Sequence, residues 1–471
     1  MSDIPPVGVG APPPYPDPAV QPVTPGAALA AAPPPPKRMD WRRGLVLAGV
    51  ITLIALCGIA VLTYVGWHIG PVALGVGIVA AILPVPLLVL CFLWLDRYEP
   101  EPVKYLAFCF GWGAAVATGV ALVVNTQASN LFTKVGLPDG LVAVLVAPFI
   151  EESMKALGPV LLFIFVRRTF SGPLDGIVYC GLSATGFAMV ENILYLGGFG
   201  YAKNAQESGA LAGVKAVLLI FFLRIVITGF AHPLFTGMTG IGLGVAARAA
   251  DRRIRWSAPV AGLLVAMMVH GTWNLMLTVA GDTEEPLVLL YGYFAVMVPI
   301  FFGMVGFTLW LRGGEGRLTE RVLGEYARAG WLSPPEVATM ATLGRRLAAR
   351  RWARRVAGDP GVRAMRAYQF DATKLALLRD GMRRGLGTAP DEIEQTLAEE
   401  HQLLAAIAAY RQVFGGRDPF APRAVWDGLR YRLTFPDGSV RDIDPPEQPV
   451  VPVPVVLTRP QPVAAYGYRY R

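Results

Sequence analysis

The sequence predicts an all-α membrane protein: a polytopic transmembrane helix bundle of about eight spans followed by a cytoplasmic, mainly helical C-terminal region. Three observations carry this. The 471 residues are 54% hydrophobic and only 16% charged, with a mean hydropathy of +0.47, too apolar for an ordinary soluble chain. Apolar runs long enough to cross the ~30 Å hydrocarbon core recur along it. Basic residues collect at the ends of those runs, on alternate connections. The net charge of +8 then belongs to a membrane surface, and nucleic acid is not expected as a partner.

Residues 1–40 read as a disordered cytoplasmic tail, with thirteen prolines before Lys37 and no basic segment in front of an apolar core. Lys37, Arg38, Arg42 and Arg43 precede the first apolar run, 44–67, and hold its start in the cytoplasm. Further spans are expected at about 69–95, 103–125, 141–166, 174–198, 215–247, 257–280 and 288–311. Arg97 and Lys104, Arg167 and Arg168, and Arg248 to Arg255 fall on the cytoplasmic connections. Both termini therefore face the cytoplasm of a bacterial-type cytoplasmic membrane. The sixth span is overlong and contains Pro233, which predicts a kink or break near His232. Cys57, Cys91, Cys109 and Cys180 lie inside apolar segments without CxxC spacing and read as small packing residues.

After Arg312 the composition changes. The region 313–415 is expected to be helical. Ser333-Pro-Pro-Glu336 forms a capping box, and a basic amphipathic helix with Arg345, Arg346, Arg350, Arg351, Arg354 and Arg355 faces anionic lipid. A second helix runs from Thr388-Ala-Pro-Asp391 to about Phe414. Residues 416–471 are expected to hold a small hairpin, Tyr431–Phe435 with Val440–Ile443, and a proline-rich end.

The chemistry concentrates in the membrane domain, 41–312. Glu151, Glu152 and Lys155 stand in the middle of the fourth span, where each charge costs ~2.5–3.5 kcal/mol. Such groups persist only where they pair, face a polar cavity or do chemistry. Glu151 and Lys155 share a helical face at i, i+4, while Glu152 points ~100° away and needs a partner from elsewhere. The fifth span adds Glu191 and Asn192, the sixth Arg224 and His232, the seventh His270 and Asn274. Alone, each has a packing explanation. Together, in four consecutive spans, they exceed what packing needs, leaving a hydrolase or a transporter, such as a proton-coupled permease, as the readings.

The order Asp96-Arg-Tyr-Glu-Pro-Glu-Pro102, Glu151-Glu152-x-x-Lys155, Asp175 to Tyr179, Phe187-x-x-x-Glu191-Asn192, Arg224 through His232, and His270-x-x-x-Asn274 resembles the PrsW family of intramembrane proteases. That family is related to the CAAX-protease and bacteriocin-processing superfamily, whose members typically carry His where Glu191 stands. The resemblance covers roughly residues 90–280. It implies hydrolysis of a peptide bond in a membrane-anchored protein or peptide, an anti-sigma factor in some family members, by a water activated by Glu151 or Glu152. It leaves two arrangements open: Glu191, His232 and His270 hold Zn2+, or His232, His270 and Asn274 donate to the oxyanion without a metal.

Overall fold

The computed structural model describes residues 41–457 apart from 284, 330, 388, 415–416, 418–422, 428, 435–437 and 446–454. The two proline-rich tails lie mostly or wholly outside the described residues. The chain divides into two compact units, a membrane unit, Arg38–Arg312, and a second unit from Gly313 onward.

Eight long helices form in order: α1 (Gly44–Ile69), α2 (Pro71–Leu95), α3 (Val103–Lys134), α4 (Ala147–Phe165), α5 (Pro173–Ser208), α6 (Ala210–Arg248), α7 (Arg252–Asp282) and α8 (Leu287–Arg328). Among the described residues, all but α4 are long and apolar enough to cross a membrane. Helix α4 has the length, but Glu151, Glu152 and Lys155 set it apart. The expected break in the sixth span is present. Residues Phe222–Ile227 wind as a π turn, the chain leaves helical geometry at 228–230, and the α-helix restarts at Ala231. Pro233 thus falls in a first turn, where its missing N–H costs nothing.

Helix α5 is the centre of the membrane unit, buried almost continuously from Leu174 to Ile193. Its small residues explain this position. A Cβ on Gly176 would lie 2.0 Å from the Gly240 carbonyl oxygen of α6, and one on Gly113 of α3 would lie 1.8 Å from the Ser183 oxygen of α5. Backbones cross there in direct contact, the way helices associate where no hydrophobic effect drives them together. Around these crossings Ile177, Val178, Tyr179 and Leu182 pack with Phe92, Leu106, Leu162 and Leu243.

The second unit opens with α9 (Pro334–Ala338), capped as expected: Ser333 accepts from the Glu336 N–H, and Glu336 accepts from the Ser333 N–H at 2.7 Å. Next, α10 (Leu343–Arg383) is two helices joined at Gly358, whose φ of 62° only glycine adopts readily. The two arms fold back on each other, since Arg346 donates to Thr373 at 2.8 Å and Gln369 donates to the Arg346 carbonyl at 2.9 Å. This corrects the expected surface helix. Arg346 is buried and Arg350 is bound to Gln369 at 2.6 Å, whereas Arg351, Arg354 and Arg355 remain exposed. Helix α11 (Pro390–Phe414) packs Leu403, Leu404 and Ile407 into the same core. The expected hairpin belongs to a four-stranded sheet of order β3-β2-β1-β4. Strand β2 (Tyr431–Thr434) pairs antiparallel with β1 (Arg423–Trp426) and β3 (Val440–Ile443), and β4 (Val455–Leu457) runs parallel to β1.

Candidate functional site

Helix α4 delivers the central group. Lys155 is fully buried, and its three protons meet three acceptors: Glu152 Oε1 at 2.9 Å, His232 Nδ1 at 3.1 Å and Glu151 Oε2 at 3.3 Å. The Phe187 ring lies 4.1 Å away and closes the remaining side. The turn that carries Lys155 is itself held from outside. Pro159 lacks the N–H that would bond the Lys155 carbonyl, and Ser183 Oγ donates to that oxygen instead at 2.7 Å. One residue earlier, Trp112 Nε1 donates to the Met154 carbonyl at 2.8 Å.

The two adjacent glutamates differ. Glu152 is 0% exposed; it accepts from Lys155, from His270 Nδ1 at 2.9 Å and, on its other oxygen, from Thr236 Oγ1 at 2.7 Å. Glu151 is 7% exposed and has only long contacts: Lys155 Nζ and Asn125 Nδ2, each at 3.3 Å, and His270 Nε2 at 3.9 Å. The partner that Glu152 lacked in the sequence is thus Lys155 itself at i, i+3, together with groups from α6 and α7.

The hydrogen-bond pattern assigns the imidazoles. His232 Nδ1 accepts from the Lys155 ammonium, so its proton is on Nε2 and goes to Glu191 Oε2 at 2.9 Å. Glu191 also takes the Arg224 guanidinium at 2.6 Å, and Arg224 stacks 3.5 Å over Tyr195. His270 donates through Nδ1 and stacks on Phe235 at 4.9 Å, leaving Nε2 turned toward Glu151. Glu151, Glu152, Glu191, His232 and His270 therefore belong to one connected group. Asn274 stands apart from it: its amide donates to the Ala143 carbonyl at 2.8 Å, in the π turn Val142–Val146 that leads into α4. Thr236 and Asn125 were not singled out by sequence. A hydroxyl or amide in an apolar helix carries no spacing signal, and only the fold shows what it meets.

Zinc needs three or four donors converging at about 2.0–2.2 Å. Among the described residues no group of three His, Cys, Asp or Glu side chains is placed to hold an ion. The point closest to both carboxylates and to His232 holds the Lys155 ammonium, and Glu191 is already paired with Arg224 and His232. The donor set in this arrangement does not fit the metal centre expected from Glu191, His232 and His270.

A second acidic group lies in the connection between α2 and α3. The Glu101 N–H donates to Asp96 Oδ2 at 2.7 Å, and Tyr179 OH donates to Glu101 Oε2 at 2.6 Å. Burial, reinforced by Asp175, pushes the Asp96 carboxyl up to about 8 and that of Glu101 to about 10, despite the hydrogen bonds that oppose it.

A lysine, three carboxylates and two imidazoles gathered among membrane-length helices define a polytopic membrane protein with an ionisable centre, the class to which intramembrane hydrolases belong. Comparison with known proteins finds one family in common. Residues 101–304 match the PrsW family of intramembrane metalloproteases. The chain is 29% identical over 200 residues to Protease PrsW of Bacillus subtilis (strain 168), a match covering 42% of this chain and 81% of that one. It is 27% identical over 222 residues to Protease PrsW of Clostridioides difficile (strain 630), covering 45% and 84% respectively. With Protease PrsW of Geobacillus kaustophilus (strain HTA426), 28% identity extends over 200 residues. No solved structure matches. This likeness supports an intramembrane protease and hence a peptidase; the permease reading is not favoured. The family description implies a metal, which the donor geometry above does not accommodate.

Proposed function

We propose that the protein cuts a peptide bond of a membrane-anchored protein and that Glu151 is the base that activates water. The supporting observation is the contrast between the two glutamates. Glu152 is fully buried and takes three short donors, two on Oε1 and one on Oε2, whereas Glu151 keeps an opening and only long contacts. Glu152 then orients His270 and Lys155. Water held between Glu151 and the free His270 Nε2 attacks the scissile carbonyl. Glu151 takes the proton and returns it to the leaving amine. The second amide proton of Asn274 is the one available to the oxyanion, a contribution worth ~10²–10³ in rate.

The test is cleavage of a quenched apolar peptide in detergent. Glu151→Gln should lose several orders of magnitude with folding intact, while Glu152→Gln should lose thermal stability as well, because it cuts into the Lys155 and His270 bonds. Equal activity of Glu151→Gln and wild type would refute the assignment. With Lys155 supplying the positive charge, 1,10-phenanthroline should leave the rate unchanged; loss of activity on chelation, restored by Zn2+, would reinstate the metal reading.

The proposal extends to context. An anti-sigma factor is a substrate of suitable type, a membrane-anchored protein. Exposed Arg351, Arg354 and Arg355, joined by Arg363 and Arg366 on the second arm of α10, support contact with anionic lipid from the cytoplasmic side. The boundaries 1–40, 41–312, 313–415 and 416–471 remain the working division of the chain, with both termini cytoplasmic.

A further inference from the structure

We propose that Asn125 binds the substrate backbone next to the scissile bond: its Oδ1 accepts a main-chain N–H of the unwound substrate while its Nδ2 stays on Glu151. This rests on the reading of Glu151 as the base. Asn125 is on α3, opposite α4, and its amide donates to Glu151 Oε1 at 3.3 Å. A carboxylate accepts only donors, so the amide is held with nitrogen toward Glu151 and oxygen away from it. That oxygen is shielded from solvent and has no hydrogen-bond partner among the described residues.

The chemistry of cleavage supplies a partner. A substrate helix must unwind to offer its carbonyl to water, and unwinding frees backbone N–H groups in an apolar setting, where each unsatisfied group costs several kcal/mol. The site therefore needs an acceptor beside the base. The nearby acceptors already carry donors or have a use: Glu152 takes Lys155, His270 and Thr236, Glu191 takes Arg224 and His232 on Oε2, His232 Nδ1 takes Lys155, and His270 Nε2 is the side of the attacking water. Asn125 Oδ1 is the one that Glu151 itself orients. One carboxamide thus links base and substrate, so that a docked backbone fixes the distance from the scissile carbonyl to the carboxylate. A purely structural asparagine would use its oxygen within the fold.

The experiment pairs a side-chain change with a backbone change. A quenched apolar peptide is compared with copies in which one amide flanking the scissile bond is replaced by an ester, which removes a single N–H. In the wild type, one ester position should lower kcat/KM about ten-fold, the scale of one lost hydrogen bond. Asn125→Ala should lower cleavage of the parent peptide by a similar factor and respond no further to that ester. Asn125→Asp, which keeps an acceptor oxygen, should retain the discrimination. If Asn125→Ala discriminates between amide and ester as the wild type does, or if no ester position affects the wild type, the inference is overturned. Failure of the base assignment is read separately, as full activity of Glu151→Gln on the parent peptide.

Discussion

Lys155 shows how much a single residue can state in advance. Its i, i+4 spacing from Glu151 is visible in sequence, and so is the need of Glu152 for a partner. That one ammonium serves both glutamates and a histidine 77 positions away is not visible, because the crossing of α4, α5 and α6 decides it. Asp96 and Glu101 are similar. Their motif is legible, but their burial is a property of the fold. Because their carboxyls titrate higher in the folded than in the unfolded chain, the folded state binds more protons over this range. Stability should therefore fall as pH rises from the ordinary carboxylate range toward about 8 for Asp96 and on toward about 10 for Glu101, by up to about 1.4 kcal/mol per pH unit for each group. Melting temperature in detergent between pH 6 and 9 checks this. Asp96→Asn should flatten the slope, and an unchanged slope would contradict the assignment.

At the level of elements, the spans were legible because hydropathy reports them directly. Their internal geometry was not. Among the described residues five segments, among them Trp112–Ala117, Val142–Val146 and Phe222–Ile227, wind as π turns. A π turn is one extra residue in an α-helix and leaves no compositional trace. Displaced carbonyls are then used by polar side chains, as Thr118 does with Gly113 and Asn274 with Ala143. The α10 hairpin was missed for a related reason: arginines that read as a charged face turn inward once Gly358 reverses the chain. Helix crossings make the sharpest element-level prediction. Gly176→Val places branched carbon where only 2.0 Å separates a Cβ from the Gly240 oxygen. It should abolish the monodisperse folded fraction in size-exclusion chromatography, whereas Gly49→Val, with nothing within 4 Å, should leave it intact.

Across the whole molecule, the proposed orientation follows from charge alone, and reporter fusions test it. Fusions after Arg43, Arg168, Arg255 and Arg312 should report cytoplasm, and those within 126–138 and 200–212 the outside. An outside signal at Arg312 would overturn both the count of eight and the cytoplasmic C-terminus. The second unit was the least legible part, since its core combines the last turns of α8, the α10 hairpin and α11, segments without a common sequence signature.

The central position of α5 bears on how the chain enters the membrane in the first place. It is the least apolar of the seven span-length helices and the most enclosed by protein, and it directly follows α4 with its three ionisable groups. Leaving the translocon one at a time, either would meet lipid with its polar side bare. The helices that cover that side, α6 and α7, are made later. Biogenesis of this protein is therefore expected to hold α4 and α5 at the insertion machinery, or beside α3, until the rest of the chain arrives, so that the ionisable centre is assembled during synthesis.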